Sequence, residues 1–179
     1  KDENGNLANR FDTGYAVMYQ EFEAGMLKRC YYENHTLSPV PSKTTGVAGI
    51  AYVYDKGMKL EERYFDTAGN SALRSDTGCA KAVYEYSNRG RLNTAYFYGV
   101  DDQLILRKDT GYASVKYQYD KQGQREAIYY YGTDGQPIIS SKYHCAGYKY
   151  QYDSRGNEKT MSFVGLDGKL IVRRDLGYA

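Results

Sequence analysis

Tryptophan is absent from the 179 residues, and cysteine, proline and histidine are scarce at three, three and two. With no tryptophan and only five phenylalanines, the aromatic weight of any core falls to the 22 tyrosines, whose rings bury well but whose hydroxyls need partners. Cys30, Cys79 and Cys145 are odd in number, and neither they nor His35 and His144 pair at ligand spacing, which argues against a disulfide framework, a metal site or a bound cofactor. No run approaches the roughly 18 apolar residues of a membrane helix, so membrane insertion is not expected. The opening Lys1-Asp2-Glu3-Asn4-Gly5 is not a signal peptide. The 24 basic and 22 acidic side chains leave a net charge of +2 with no basic block, so nothing is set up to neutralise a row of phosphates, and nucleic acid is not an expected partner.

What the chain does have is a period. Asp109-Thr110-Gly111-Tyr112-Ala113, followed by Val115, Tyr117, Tyr119 and Asp120, recurs with its glycine slot at Gly14, Gly46, Gly78, Gly111 and Gly177 and His144 in the remaining place. The steps are 32, 32, 33, 33 and 33 residues. Gly5 is in register with Gly69, Gly135 and Gly168, so the chain begins in mid-pattern and reads as a piece of a longer array. The expected organisation is one repeat array over 1–179: a partial copy at 1–13, copies at 14–45, 46–77, 78–110, 111–143 and 144–176, and the start of another at 177–179. Cys79 and Cys145 stand two steps apart at one slot, farther than the roughly 7 Å that a disulfide allows, so free buried thiols are expected.

Each copy alternates with a period of two. Ala113, Val115, Tyr117 and Tyr119 face one way and Ser114, Lys116 and Gln118 the other, as in a half-buried strand. In the first copy only Met18 and Phe22 hold the inward face and Tyr19 is out of phase, which predicts a distorted or capping copy. A turn follows, Asp120-Lys121-Gln122-Gly123 or its equivalent; Glu23-Ala24-Gly25 and Asp55-Lys56-Gly57 are one residue shorter, which accounts for both 32-residue steps. Seven residues beyond the turn glycine comes an aromatic in every copy, Tyr32, Tyr64, Phe97, Tyr130 and Phe163, on the inward face of a second strand where Glu62 is the one misfit. Asp134-Gly135 or Asp167-Gly168 then turns into a short apolar run such as Leu104-Ile105-Leu106, read as a third strand and interrupted where Pro39 and Pro41 fall. The fold expected is all-β: tandem repeats of about 33 residues with about three short strands each, stacked as a β-solenoid or superhelical antiparallel sheet.

Tyr117-Gln118-Tyr119-Asp120-Lys121-Gln122-Gly123 and the stretch from Tyr150 to Gly156 resemble the YD repeat of RHS and teneurin-like proteins. That resemblance implies tyrosine-lined sheets wrapped into shells or superhelices, on bacterial surfaces or in secreted toxins. The rhythm of aromatics and glycines is more remotely similar to clostridial cell-wall-binding and toxin repeats, which form β-hairpin solenoids and bind glycans. Both imply an extracellular or cell-surface location.

For chemistry, the residues that stand out flank the inward aromatic of the second strand: Tyr31, Tyr96 and Tyr129 one before it, Tyr98 and Tyr131 one after. A row of outward rings can stack against a glycan or cell-wall polymer or a protein partner, with affinity gathered from many weak sites. The same rings can equally cover neighbouring copies, making the array a structural spacer or shell that presents or encloses another domain. Arg107 and Asp109, with Arg10/Asp12, Arg74/Asp76 and Arg173/Asp175, are expected to be structural, Asp holding the Thr-Gly turn and Arg reaching the Asp of a neighbouring copy. The Asp-Gly turns lack the glycine-rich core of calcium β-helices. No convergent nucleophile and base recurs, so no catalytic residues and no enzymatic activity are expected. Open strand edges make edge-to-edge self-association of the chain a further expectation.

Overall fold

The computed structural model describes residues 6–172. Gly5, Arg173, Asp175 and the Gly177-Tyr178-Ala179 start of a further copy lie outside them. The described residues contain no helix. Eleven strands, β1 (Val17–Glu23), β2 (Met26–Glu33), β3 (Gly49–Asp55), β4 (Met58–Phe65), β5 (Lys81–Tyr86), β6 (Leu92–Tyr98), β7 (Ser114–Tyr119), β8 (Arg125–Tyr131), β9 (Gly147–Tyr152), β10 (Glu158–Val164) and β11 (Leu170–Ile171), form an antiparallel sheet in sequence order. The chain divides into two compact units, residues 1–83 with 98–103 and residues 84–97 with 104–179.

In the first unit β1–β2 and β3–β4 are hairpins closed by two-residue turns. Ala24 and Gly25 have φ of 49° and 78°, and Lys56 and Gly57 have φ of 48° and 81°, the paired positive values of a type I′ turn, whose twist suits the flanking strands. The longer turns of the second unit rest on an aspartate: Asp120 Oδ1 accepts from the Gln124 amide at 2.8 Å, and Asp153 Oδ1 from the Arg155 and Asn157 amides. A one-residue register shift near the turn end of each of these hairpins keeps their alternation in phase despite the different turn lengths.

Alternation decides the core. The aromatic slot seven residues past each turn is 2–8 % exposed from Tyr32 through Phe163, and small residues such as Ala48, Ala80, Ala113 and Ala146 let those rings pack. In the second unit Tyr130 stacks on Tyr112 at 4.6 Å and on Tyr143 at 5.4 Å. Half-buried tyrosines farther along the strands aim the hydroxyl at backbone: Tyr119 donates to the Leu92 carbonyl and Tyr152 to the Arg125 carbonyl, each at 2.9 Å. Glu62 is absorbed in the same way, accepting from the Tyr64 hydroxyl at 2.5 Å and pairing with Lys59. The three cysteines are free and buried. In β1, Met18 and Phe22 are exposed, while Tyr19 faces the opposite side and stacks on Tyr31.

Two readings of the sequence change. The third strand shrinks to one bridge in most places, Glu33 with Pro39, Phe65 with Ser71 and Tyr131 with Pro137, and only β11 extends it to two residues. The segment has no room to go on: after Val40 and Ile138 donate to the Tyr32 and Tyr130 carbonyls, the chain enters a turn closed by Gly46 onto Ser42 and by His144 onto Ser140. The arginines, moreover, pair with the aspartate of their own copy. Arg10, Arg74 and Arg107 each clasp the aspartate two residues on, Asp12, Asp76 and Asp109, with two bonds, and Arg74 and Arg107 lie over the Tyr64 and Phe97 rings at 5.1 and 4.5 Å. A planar guanidinium satisfies both at once, covering the ring with its face and the carboxylate with its edge. Links between turns 32 residues apart come from backbone instead, Lys43 amide to Thr13 carbonyl and Ser75 amide to Thr45 carbonyl.

Two outcomes follow for stability. Tyr130→Ala is expected to cost about 3–5 kcal/mol by urea unfolding, as a truncated core aromatic, and half-buried Tyr129→Ala far less; equal losses would mean the faces are assigned wrongly. His144 holds the glycine slot with φ of 54°, a left-handed backbone that costs a side-chain residue about 1–2 kcal/mol. His144→Gly is therefore expected to raise the unfolding free energy by about 1 kcal/mol, and a decrease would refute the strain.

Candidate binding site

The five outward tyrosines lie on the face opposite Tyr32, Tyr64 and Tyr130, since each is one residue from an inward ring and side chains alternate along a strand. All five are half-buried. Tyr31 stacks on its cross-strand partner Tyr19 with centroids 4.9 Å apart, and Tyr98 lies beneath Lys81 Nζ at 4.5 Å, with Lys81 paired to Asp102. Tyr96, Tyr129 and Tyr131 belong to the second unit, and two of them meet at one place.

That place is set by register. Tyr96 on β6 is opposite Ser114 on β7, and Ser114 is opposite Tyr131 on β8, so a small residue is bracketed by two rings. Two residues along the same face runs the row Thr94, Lys116, Tyr129. A cavity of about 420 Å³ opens over the first row and over Thr94 and Lys116 of the second, reaching Glu85, Asn93 and the turn glycine Gly135, while Tyr129 is not part of its lining. Tyr96 donates its hydroxyl to Glu85 Oε2 at 3.3 Å. Lys116 is exposed and has no ion-pair partner among the described residues. Burial raises the Tyr129 phenol above its ordinary pKa, helped by the charge of Glu126, and burial likewise raises Tyr131. Both stay neutral donors at physiological pH.

The arrangement offers two ring faces, a hydroxyl between them, a carboxylate, an ammonium and an amide. These are groups that orient a hydroxylated ligand. Among the described residues no three His, Cys, Asp or Glu side chains gather to hold a metal ion, and no helix is long and apolar enough to cross a membrane. Thr94, Ser114, Lys116 and Glu85 escaped the sequence reading, although Ser114 and Lys116 were already on the outward phase of the alternation. The missing step was register: only pairing across three strands puts a small residue between two tyrosines.

The position of Ser114 is glycine at 49 and 147, for different reasons. A Cβ on Gly147 would sit 2.1 Å from the Ile128 carbonyl oxygen, a backbone atom with nowhere to go, whereas on Gly49 it would come 3.2 Å from the Cys30 carbonyl oxygen. No family model matches the chain, and no curated protein matches it. Gly147→Ala is expected to cost about 2–3 kcal/mol of folding stability and Gly49→Ala under about 1 kcal/mol, measured as the shift in urea midpoint; comparable losses would show that Gly49 too is demanded by close packing.

Proposed function

We propose that this chain is a non-catalytic binding module of a secreted or cell-surface bacterial protein, a tandem array of about 33-residue hairpin copies that takes glycan or cell-wall polymer on its outward face. The observation that carries this reading is the bracket of Tyr96 and Tyr131 around Ser114 under one cavity, with Glu85, Asn93 and Lys116 at its rim. Clefts for small polar ligands combine apolar or aromatic walls with a few placed polar groups, and this one has both. A single cleft of this size holds little more than one sugar ring, so useful affinity comes from several such contacts along a polymer. The resemblance to YD-type and clostridial repeats supplies the surface location and the polymer as ligand.

A second reading has its own support. Tyr31 spends one face on Tyr19, and Tyr98 is covered by Lys81. Rings used in this way stiffen a sheet, as a spacer or shell that presents another domain would require.

The readings part on a polysaccharide array probed with the whole chain. Tyr131→Ala, at a half-buried position, is expected to lower binding at least ten-fold while leaving the thermal midpoint within a few degrees of the parent. Binding to no polysaccharide, or unchanged binding by Tyr131→Ala, would leave the spacer as the function.

A further inference from the structure

The first unit contains a slot of the same plan built from different residues. Tyr31 on β2 is in register with Gly49 on β3, and Gly49 with Phe65 on β4. Two strand spacings of about 4.8 Å set the flanking residues roughly 9.5 Å apart. A ring seated over Gly49 would then lie about 4.8 Å from each wall, within the roughly 4.5–7 Å range of ring contacts. Tyr31 stacks on Tyr19, its cross-strand partner on the side away from the glycine. The slot forms a cavity of about 330 Å³, rimmed by Arg29, Pro39 and the turn from Asp66 to Gly69.

The glycine is not forced by the backbone: Gly49 does not have a positive φ, and a Cβ there would be tight without clashing. The polar groups of the rim are unequal. Asp66 is committed to its turn, its Oδ1 accepting from the Ala68 and Asn70 amides and its Oδ2 from the Asn70 side chain. Arg63, on the far wall, is clasped by Glu61. Arg29, in register with Ala51 two residues from Gly49, has neither an ion-pair nor a hydrogen-bond partner among the described residues, although Glu21 faces it across the β1–β2 pair. The corresponding row at the start of β5 is closed, because Lys81 stands in the glycine's place opposite Arg63, lies over the Tyr98 ring and is pinned by Asp102.

We propose that Tyr31, Gly49 and Phe65 form a second ring-binding slot that holds one pyranose unit and presents one of its oxygens to Arg29, and that the residue on the middle strand decides whether such a slot is open. The sugar as occupant rests on the glycan reading above; the slot itself does not. A bare hydrocarbon ring would satisfy the walls and leave Arg29 unused, whereas a sugar hydroxyl or carboxylate gives the guanidinium an acceptor, a carboxylate with two parallel bonds.

The test is a titration of the ¹⁵N-labelled whole chain, followed through the backbone amides, with methyl β-glucopyranoside, glucuronate and cyclohexane-methanol as probes. Both sugars are expected to move the Gly49 and Ala51 amides saturably and cyclohexane-methanol at least five-fold more weakly; a glucuronate preference would assign the Arg29 partner as carboxylate, equal binding as hydroxyl. Gly49→Lys, copying Lys81, should abolish those shifts while the Ser114 amide still responds, Phe65→Leu should weaken them should the lysine variant fail to fold, and Arg29→Gln should weaken them several-fold with partial recovery in Arg29→Lys. Silence at Gly49 with a response at Ser114 would overturn the second slot alone, and silence at both would sink the glycan reading with it. Shifts that persist in Gly49→Lys, or an equal response to cyclohexane-methanol, would also overturn the proposal.

Discussion

A sheet whose core is built from tyrosine has to satisfy a hydroxyl for every ring it buries, and much of this structure follows from that constraint. Rings at the slot past each turn are covered by alanines and by one another, as where Tyr112, Tyr130 and Tyr143 stack. Rings nearer the strand ends reach a backbone carbonyl one hairpin away, as Tyr119 does at Leu92 and Tyr152 at Arg125. Where neither is available, a charged side chain steps in. Glu62, which looks misplaced on an inward face, is the acceptor for Tyr64. Phenylalanine could fill these layers but could not tie one hairpin to the next.

The guanidinium clasps answer a different need, cover for ring faces at the rim. Tyr64 and Phe97 would be left with an open ring face at the rim, and Arg74 and Arg107 cover it. An arginine over a ring needs its edge donors satisfied, and an aspartate two residues on does this with two bonds while its Oδ1, in Asp12 and Asp76, also takes the next amide. The Arg10–Asp12 pair is solvent-exposed and contributes on the order of 0–1 kcal/mol directly, whereas the guanidiniums of Arg74 and Arg107 are more sheltered. Their larger effect is to define the turn that ends one hairpin's connection and begins the next strand.

Much of this was legible from periodicity. The inward face, the turn glycines with positive φ at 25, 57, 123 and 156, and the left-handed slot that His144 shares with Gly111 all follow from alternation and spacing. The third strand was not legible, because an apolar run such as Ile138-Ile139 has the composition of a strand and only the turn after it limits the pairing to one bridge. Nor was the pairing of Arg74 with its own Asp76: residues two apart on one strand look too close in sequence to be partners until a ring beneath flattens the guanidinium onto the sheet. The candidate site stayed hidden for a related reason. Outward tyrosines can be read one strand at a time, but Ser114 matters only because β6 and β8 bring rings to either side of it.

Glycine on the middle strand carries two meanings that look identical in sequence. At 147 the neighbouring carbonyl of Ile128 leaves no volume for a side chain, so glycine is a packing requirement and its absence of bulk is used up by the backbone. At 49 the carbonyl of Cys30 stands farther off and the missing bulk remains as open space between Tyr31 and Phe65. A glycine in a strand loses stability for want of a side chain to pack, and neighbouring aromatics ordinarily recover some of it by leaning over the gap. Tyr31 stacks one face on Tyr19, on the side away from the glycine. A sheet that places a glycine between two rings forgoes some stability at that point.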